Sequence, residues 1–242
     1  MLLKKYEILN ANVLKIIALI SMVIDHVGVM LFPNALWLRC LGRISLPIFA
    51  YMIAEGCHHT RNPKKYFLRI FILGVLCQAV YFVAYGTLYL STLISFSLAV
   101  LAIFLLKKLC TERGKLQIAK NAMLCIAMLL LMIFLANPPS FTEPYGLYLD
   151  YGIYPFLIPV VLYFIPKKEW RLLAMIPLLY LLSLDFEWEQ LLAFCAIPIL
   201  LMYNGKRGKA NLKYLFYIAY PLHLVLIFVI YILFFDSRSA FF

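Results

Sequence analysis

Charge is scarce in this chain. Only 14% of its 242 residues are Asp, Glu, Lys or Arg, well under the roughly one quarter that soluble domains carry, and this excludes an ordinary cytosolic enzyme. Polar low-complexity tracts are missing, which excludes a disordered chain. The six cysteines are scattered, with no CxxC and no regular spacing, which excludes a secreted disulfide scaffold. Acidic residues are scarcest, 11 against 22 basic ones, leaving a net charge of +11. Such an excess suits a nucleic-acid binder unless its placement has another cause. What fills the chain is apolar: 65% of residues are hydrophobic and 16% aromatic, in runs of about 16 to 22 that can span a bilayer.

Nine such segments are expected, near 13–32, 36–57, 66–85, 88–106, 119–136, 151–165, 172–184, 189–203 and 214–235. They predict an all-α fold: a polytopic membrane helical bundle of about nine transmembrane helices (range 8 to 10), in a single domain over 1–242. The seventh and eighth are short, and the stretch Asp185, Phe186, Glu187, Trp188 and Glu189 between them suits a tight turn at a membrane surface.

Eighteen of the 22 basic residues sit on alternate connections. They are Lys4 and Lys5; Arg61, Lys64, Lys65 and Arg69; Lys107, Lys108, Arg113, Lys115 and Lys120; Lys167, Lys168 and Arg171; and Lys206, Arg207, Lys209 and Lys213. The intervening loops hold Glu143, Asp150, Asp185, Glu187, Glu189 and Asp236. The positive-inside rule then puts the N-terminus in the cytoplasm and the C-terminus outside, in a multi-pass protein of the cytoplasmic (inner) membrane. The excess charge is thereby topological, and no nucleic-acid partner is expected. The first apolar run lacks a small-residue cleavage site and leads straight into a second span, so no signal peptide is expected to be removed.

Of the remaining basic residues Arg238 ends the outer tail, while Lys15, Arg39 and Arg43 require an explanation. A charge in a membrane helix costs several kcal/mol, so it must be paired, hydrated or neutral, and it is a functional candidate by default. The first helix contains Lys15, Asp25 and His26, the second Arg43 and Glu55, and the last His223. A turn near Pro33 and Asn34 makes the first two helices an antiparallel pair in which residue 26 faces residue 43 and Lys15 lies beside Glu55. Lys15 and His26 are eleven residues apart, three turns plus about 20°, so they look out from one helix face. A cation near the cytosol with an imidazole deeper in can hold an elongated anionic ligand.

The segments "LKIIALISMVIDHVGVMLFP" and "LRCLGRISLPIFAYMIAEGCHHTRNPKKYFLRIFILGVLCQ" resemble the opening of the TraX family, membrane proteins named for the pilin-acetylating component of conjugative plasmids. "YGIYPFLIPV" and "LKYLFYIAYPLHLVLI" are similar to that family's later segments; 90–140 adds nothing to the likeness. TraX proteins are in turn similar to a broader membrane acyltransferase group that takes acyl-coenzyme A from the cytosol. That group has a basic residue, ten intervening residues and a histidine on its first helix. Lys15 and His26 keep the spacing, with lysine where arginine is usual, so a bidentate phosphate geometry does not carry over. Arg43, within "GRISLPIFAY", matches the family's arginine at the start of the second helix.

The resemblance implies an acyltransferase that moves an acyl group, expected to be acetyl, from acetyl-coenzyme A to an amine or hydroxyl acceptor: a peptide, a pilin-like protein, a glycan or a lipid-linked sugar. Removing the acceptor's proton needs a base, and histidine titrates closest to working pH, so His26 is assigned as general base. Asp25 lies about 100° away on the helix and is expected to pair with Arg43 rather than orient the imidazole. Arg43 is either that counter-ion or the group that stabilises the oxyanion, and the roles are compatible. Lys15, Arg61, Lys64, Lys65 and Arg69 are the candidates for coenzyme phosphates, with a structural Lys15–Glu55 ion pair as the alternative. His223 is a second acid or base, or a helix-packing group. Cys57, His58 and His59 invite a zinc reading that their spacing does not support, and no metal is expected. Two rival functions remain: a proton-coupled transporter using Asp25, His26, Arg43 and His223 as a relay, and a non-catalytic assembly factor whose intramembrane charges select partner helices.

Overall fold

The computed structural model describes residues 6–86, 88–137 and 147–235. Lys4, Lys5, Glu143, Asp236 and Arg238, which contribute to the expected charge alternation, lie outside the described residues. Within them the chain is helical, with two isolated β-bridges as its extended pairing. The helices are α1 (Ala11–Met30), α2 (Leu36–Gly42), α3 (Ser45–His59), α4 (Pro63–Tyr85), α5 (Thr92–Thr111), α6 (Lys115–Ala136), α7 (Tyr154–Phe164), α8 (Lys168–Asp185), α9 (Ala196–Leu201) and α10 (Lys213–Phe234). A 3-10 helix, Trp188–Cys195, leads into α9.

Helix occurs in each of the nine expected segments, but not all of it is long. Among the described residues six helices are long and apolar enough to cross a membrane: Ala11–Met30, Leu36–His59, Pro63–Ala84, Thr92–Thr111, Lys115–Ala136 and Tyr214–Phe234. Tyr154–Phe164 and Trp188–Leu201 are apolar but shorter, and α8 carries Lys168, Glu169, Arg171 and Asp185. Length and composition thus support six spans directly, where the apolar runs predict nine.

The second expected segment is interrupted between α2 and α3, at Arg43 and Ile44. Two causes act there, one from α1 and one within the segment. Ser21 Oγ donates to the carbonyls of Leu41 and Gly42 at 2.6 and 3.0 Å, so these acceptors are shared outside their own helix. Pro47 has no N–H to return to the Arg43 carbonyl four residues earlier. The interruption leaves Arg43 at the end of α2, a buried turn inside an apolar span.

The chain divides into two compact units, Met1–Phe49 with Lys168–Phe242, and Ala50–Lys167. In the first, α1 packs on α2 and α10, and α8 packs on the 3-10 helix and α9. Small residues allow the close α1–α2 approach: a Cβ on Gly28 would lie 2.8 Å from that of Leu38, and one on Gly42 would collide with the Asp25 side chain. The base of this unit is tied by Leu9, whose N–H donates to the Met202 carbonyl while its carbonyl accepts from Asn204 N. Lys168 Nζ donates to Glu7 Oε1, the Leu201 carbonyl and the Tyr203 carbonyl at 2.8, 2.7 and 2.6 Å, so all three ammonium hydrogens are used.

In the second unit α5 is central, packing on α4, α6 and α7 around Ala99, Ala102, Met128, Met132, Leu149 and Phe156. Asp150 closes it by accepting from Tyr89 Oη and Thr92 Oγ1, both at 2.5 Å. Burial and that carboxylate push the Tyr89 phenol well above its ordinary range.

Candidate functional site

Asp25 and His26 lie some 20 Å along α1 at about 1.5 Å per residue. Neighbours on a helix diverge by about 100°, and here they meet different partners: Asp25 turns to α2 and His26 to α10.

The buried Asp25 carboxylate pairs with two guanidiniums, Oδ2 with Arg39 Nη1 at 3.4 Å and Oδ1 with Arg43 Nη2 at 3.5 Å. Arg39 and Arg43 are four residues apart and so emerge on one side of α2. Arg43 Nη1 donates to Gln190 Oε1 at 3.3 Å. A guanidinium only donates, so the contact fixes which way the amide points and turns Gln190 Nε2 away from Arg43. That nitrogen and Glu189 Oε2 are buried without a hydrogen-bond partner among the described residues. Buried polar groups are normally bonded, so these two mark a polar interior able to receive further donors or acceptors.

His26 Nδ1 lies 3.1 Å from His223 Nε2, with ring centroids 5.0 Å apart. His223 Nδ1 lies 2.9 Å from the Ala219 carbonyl. A carbonyl can only accept, so His223 Nδ1 carries hydrogen, and in the neutral pair His223 Nε2 holds a lone pair. His26 Nδ1–H must then donate to it, and His26 keeps its lone pair on Nε2. The Ala219 carbonyl thus sets the tautomer of His223 and, through the shared bond, bears on that of His26, whose ring also bonds to the Met22 backbone. Asp25 faces the arginines of α2, whereas the His26 ring contacts His223 and the Met22 backbone.

The facing of residues 26 and 43 is off by one or two positions, because Gly42 and Arg43 lie against Asp25 while His26 turns to α10. Lys15 is half-buried on α1, with Arg207 near enough to act on its charge. Arg61, Lys64, Lys65 and Arg69 belong to the second unit and are exposed around the start of α4. There Asn62 Oδ1 caps the helix by accepting from Lys65 N at 3.0 Å. Glu55 pairs with His59 at 3.4 Å, and His58 stacks on Tyr163 with centroids 4.3 Å apart. No group of three or more metal-binding side chains converges among the described residues.

Three participants escape a reading of the sequence. Arg39 stands outside the alternating charge pattern, which is a signal, but its target is invisible without the α1–α2 register. Gln190 lies 147 residues from Arg43 and follows Glu189 at the start of an apolar stretch. The His26–His223 bond spans 197 residues; its hint is that both histidines reach intermediate membrane depth.

With this geometry in place, a family model described as TraX protein matches residues 10–231, nearly the whole chain and every residue of the cluster. The chain belongs to the TraX family. A relative from Dichelobacter nodosus, named probable fimbrial assembly protein FimC, serogroup H1, is 30% identical over 249 aligned positions that cover 90% of this chain and 94% of that protein. An uncharacterised protein of Rickettsia prowazekii (strain Madrid E) is 39% identical over 67 residues, 28% of this chain and 25% of its own. No solved structure matches the chain significantly.

Proposed function

We propose that this TraX-family protein is an integral membrane acyltransferase that moves an acetyl group from acetyl-coenzyme A to an amine or hydroxyl. The observation that carries the reading is the His26–His223 pair, anchored on the Ala219 carbonyl and adjoining the Asp25–Arg39–Arg43–Gln190 cluster. His26 Nε2 takes the acceptor's proton as its nitrogen or oxygen bonds to the thioester carbonyl carbon. The carbonyl electrons move onto oxygen, and the buried Arg43 guanidinium stabilises that charge in a water-poor setting. When the C–S bond breaks, the thiolate recovers the proton from His26, so the imidazole returns to its starting state. Asp25 and His223 hold these two groups in place.

The bilayer is the protein's setting, and the reading includes nine crossings of the cytoplasmic membrane with the N-terminus inside, supported by the alternation of basic connections. The 3-10 helix helps the short eighth segment: eight residues at about 2.0 Å and six at about 1.5 Å reach roughly 25 Å, close to a hydrocarbon core of about 30 Å. The name of the Dichelobacter nodosus relative favours a fimbrial or pilin-type subunit as the acceptor.

A proton relay for transport is the second reading, because two imidazoles already share a hydrogen bond. The chain of donors ends on a backbone carbonyl, which has no proton to pass on, and this favours positioning over conduction. The test is release of free thiol from acetyl-coenzyme A, with acetyl capture on a supplied amine, by purified protein in proteoliposomes. His26→Ala is expected to lower turnover by about 10²- to 10⁴-fold while the protein still folds, as a cooperative unfolding transition shows. Full activity in that variant, or proton-coupled uptake without acetyl transfer, overturns the reading.

A further inference from the structure

The segment joining α9 to α10 reads "NGKRGKANLK" from Asn204 to Lys213, with no acidic residue. As a cytoplasmic connection its charge needs no further cause, but its shape is fixed more firmly than topology requires. The Lys206 and Arg207 carbonyls accept from Ala11 N and Asn12 N, the first amides of α1, at 2.8 and 3.2 Å. Asn12 Nδ2 donates to the Ala210 carbonyl at 2.7 Å, and Lys206 N donates to Asn204 Oδ1 at 2.9 Å. Gly205 and Gly208 adopt φ of 72° and 93°, where side chains are strained. A Cβ on Gly208 would also lie 2.7 Å from Asn10 Oδ1, the oxygen that caps α1.

This anchoring sets Arg207 against the first turn of α1, one turn from Lys15. Lys206, Arg207 and Lys209 are exposed and Lys15 is half-buried. Within this unit neither Lys15 nor Arg207 pairs with a carboxylate among the described residues; Arg207 donates only to Asn211 Oδ1, at 3.4 Å. Two cations held close without an acid, on a backbone built to keep them there, favour a ligand with negative charge at more than one point.

We infer that the Gly205–Lys209 loop and Lys15 form a receptor for phosphate groups, and that these are the nucleotide phosphates of the acyl donor. The assignment of source rests on the acyltransferase reading. Along α1, Lys15 and His26 are eleven residues, about 16 Å, apart on nearly the same face, a span that an extended pantetheine arm can bridge from phosphates to thioester.

The test uses the full chain in neutral-lipid nanodiscs, with coenzyme A and inorganic pyrophosphate as probes. Readouts are the dissociation constant and tryptic cleavage at Lys206, Arg207 and Lys209. Coenzyme A is expected to protect the loop, Arg207→Ala with Lys209→Ala to weaken binding about ten-fold or more, and Gly208→Ala to weaken it with all charges kept. Lys107→Ala with Lys108→Ala, on exposed basic residues elsewhere, serves as the control and is expected to change little.

Wild-type affinity in the Arg207/Lys209 double variant, or loop cleavage unaffected by either probe, overturns the proposal. Protection by vesicles of anionic phospholipid, with none by coenzyme A or pyrophosphate, transfers the phosphates to lipid headgroups and overturns the donor assignment. Loop variants that leave the acetyl-coenzyme A KM unchanged while His26→Ala stops transfer sink the loop and keep the enzyme. Loop-dependent coenzyme A binding without acetyl transfer keeps the loop and sinks the enzyme.

Discussion

On the acyl-transfer reading proposed above, replacing His223 separates a residue that positions a base from one that is the base. In the structure His223 acts on His26 through one hydrogen bond of 3.1 Å and is held by one of 2.9 Å to the Ala219 carbonyl. Each such bond is worth about 1 ± 0.5 kcal/mol net. Since about 1.4 kcal/mol is ten-fold in rate, losing the contact to His26 in His223→Ala should lower kcat about 2- to 12-fold through a smaller fraction of correctly oriented base. KM for acetyl-coenzyme A should hold. His26→Ala, which removes the base, should cost about 10²- to 10⁴-fold. His223→Gln should recover part of the loss, because its amide oxygen can accept from His26 Nδ1–H as the imidazole nitrogen does. The assay is thiol release under saturating donor, with unfolding temperature measured in parallel. Equal losses in His223→Ala and His26→Ala, or a Gln variant no better than Ala, would refute the positioning argument.

Gly42→Ala forces a methyl group into the Asp25 side chain, and overpacking of this kind costs about 1–3 kcal/mol; a lower unfolding temperature in detergent, with turnover falling as Arg43 shifts, is expected. Tyr89 supplies a pH test. Its phenol is raised in the folded protein by burial and by Asp150, so the folded state keeps a proton that the unfolded chain loses above about pH 10. The resulting stability is complete below that pH and falls by up to about 1.4 kcal/mol per pH unit above it. Tyr89→Phe removes that part of the slope, as alkaline unfolding curves of the two proteins should show.

The helices were legible because hydrophobic run length depends on nothing outside each run, and the Asp25–Arg43 pairing because a hairpin's register follows from its turn. Other features depend on contacts that composition does not encode. The break at Arg43 arises from Ser21, twenty residues or more away, acting together with Pro47. The partner of His26 comes from the other end of the chain. The basic residues at 61–69 and 206–209 are alike as basic connections, yet the second group is bound by its own carbonyls to the start of α1. That distinction lies in backbone hydrogen bonds and two left-handed glycines, neither of which a hydropathy pattern registers.

The charge balance of the cluster bears on what Asp25 does. Two guanidiniums, Arg39 and Arg43, share the one carboxylate they pair with, and both contacts, at 3.4 and 3.5 Å, are longer than a tight charge-assisted hydrogen bond. On the acyl-transfer reading proposed above, two guanidiniums gathered at one carboxylate favour the negative charge that forms on a substrate oxygen, the condition for stabilising a transition state more than a ground state. On that reading Asp25 is a positioning group that keeps Arg39 and Arg43 aimed, while Gln190 accepts from the other terminal nitrogen of Arg43. Asp25→Asn is accordingly expected to act first on folding, by weakening the pairing of the buried Arg43 and the partly exposed Arg39, and only through them on turnover. This order of effects separates it from His26, whose loss should leave the fold intact.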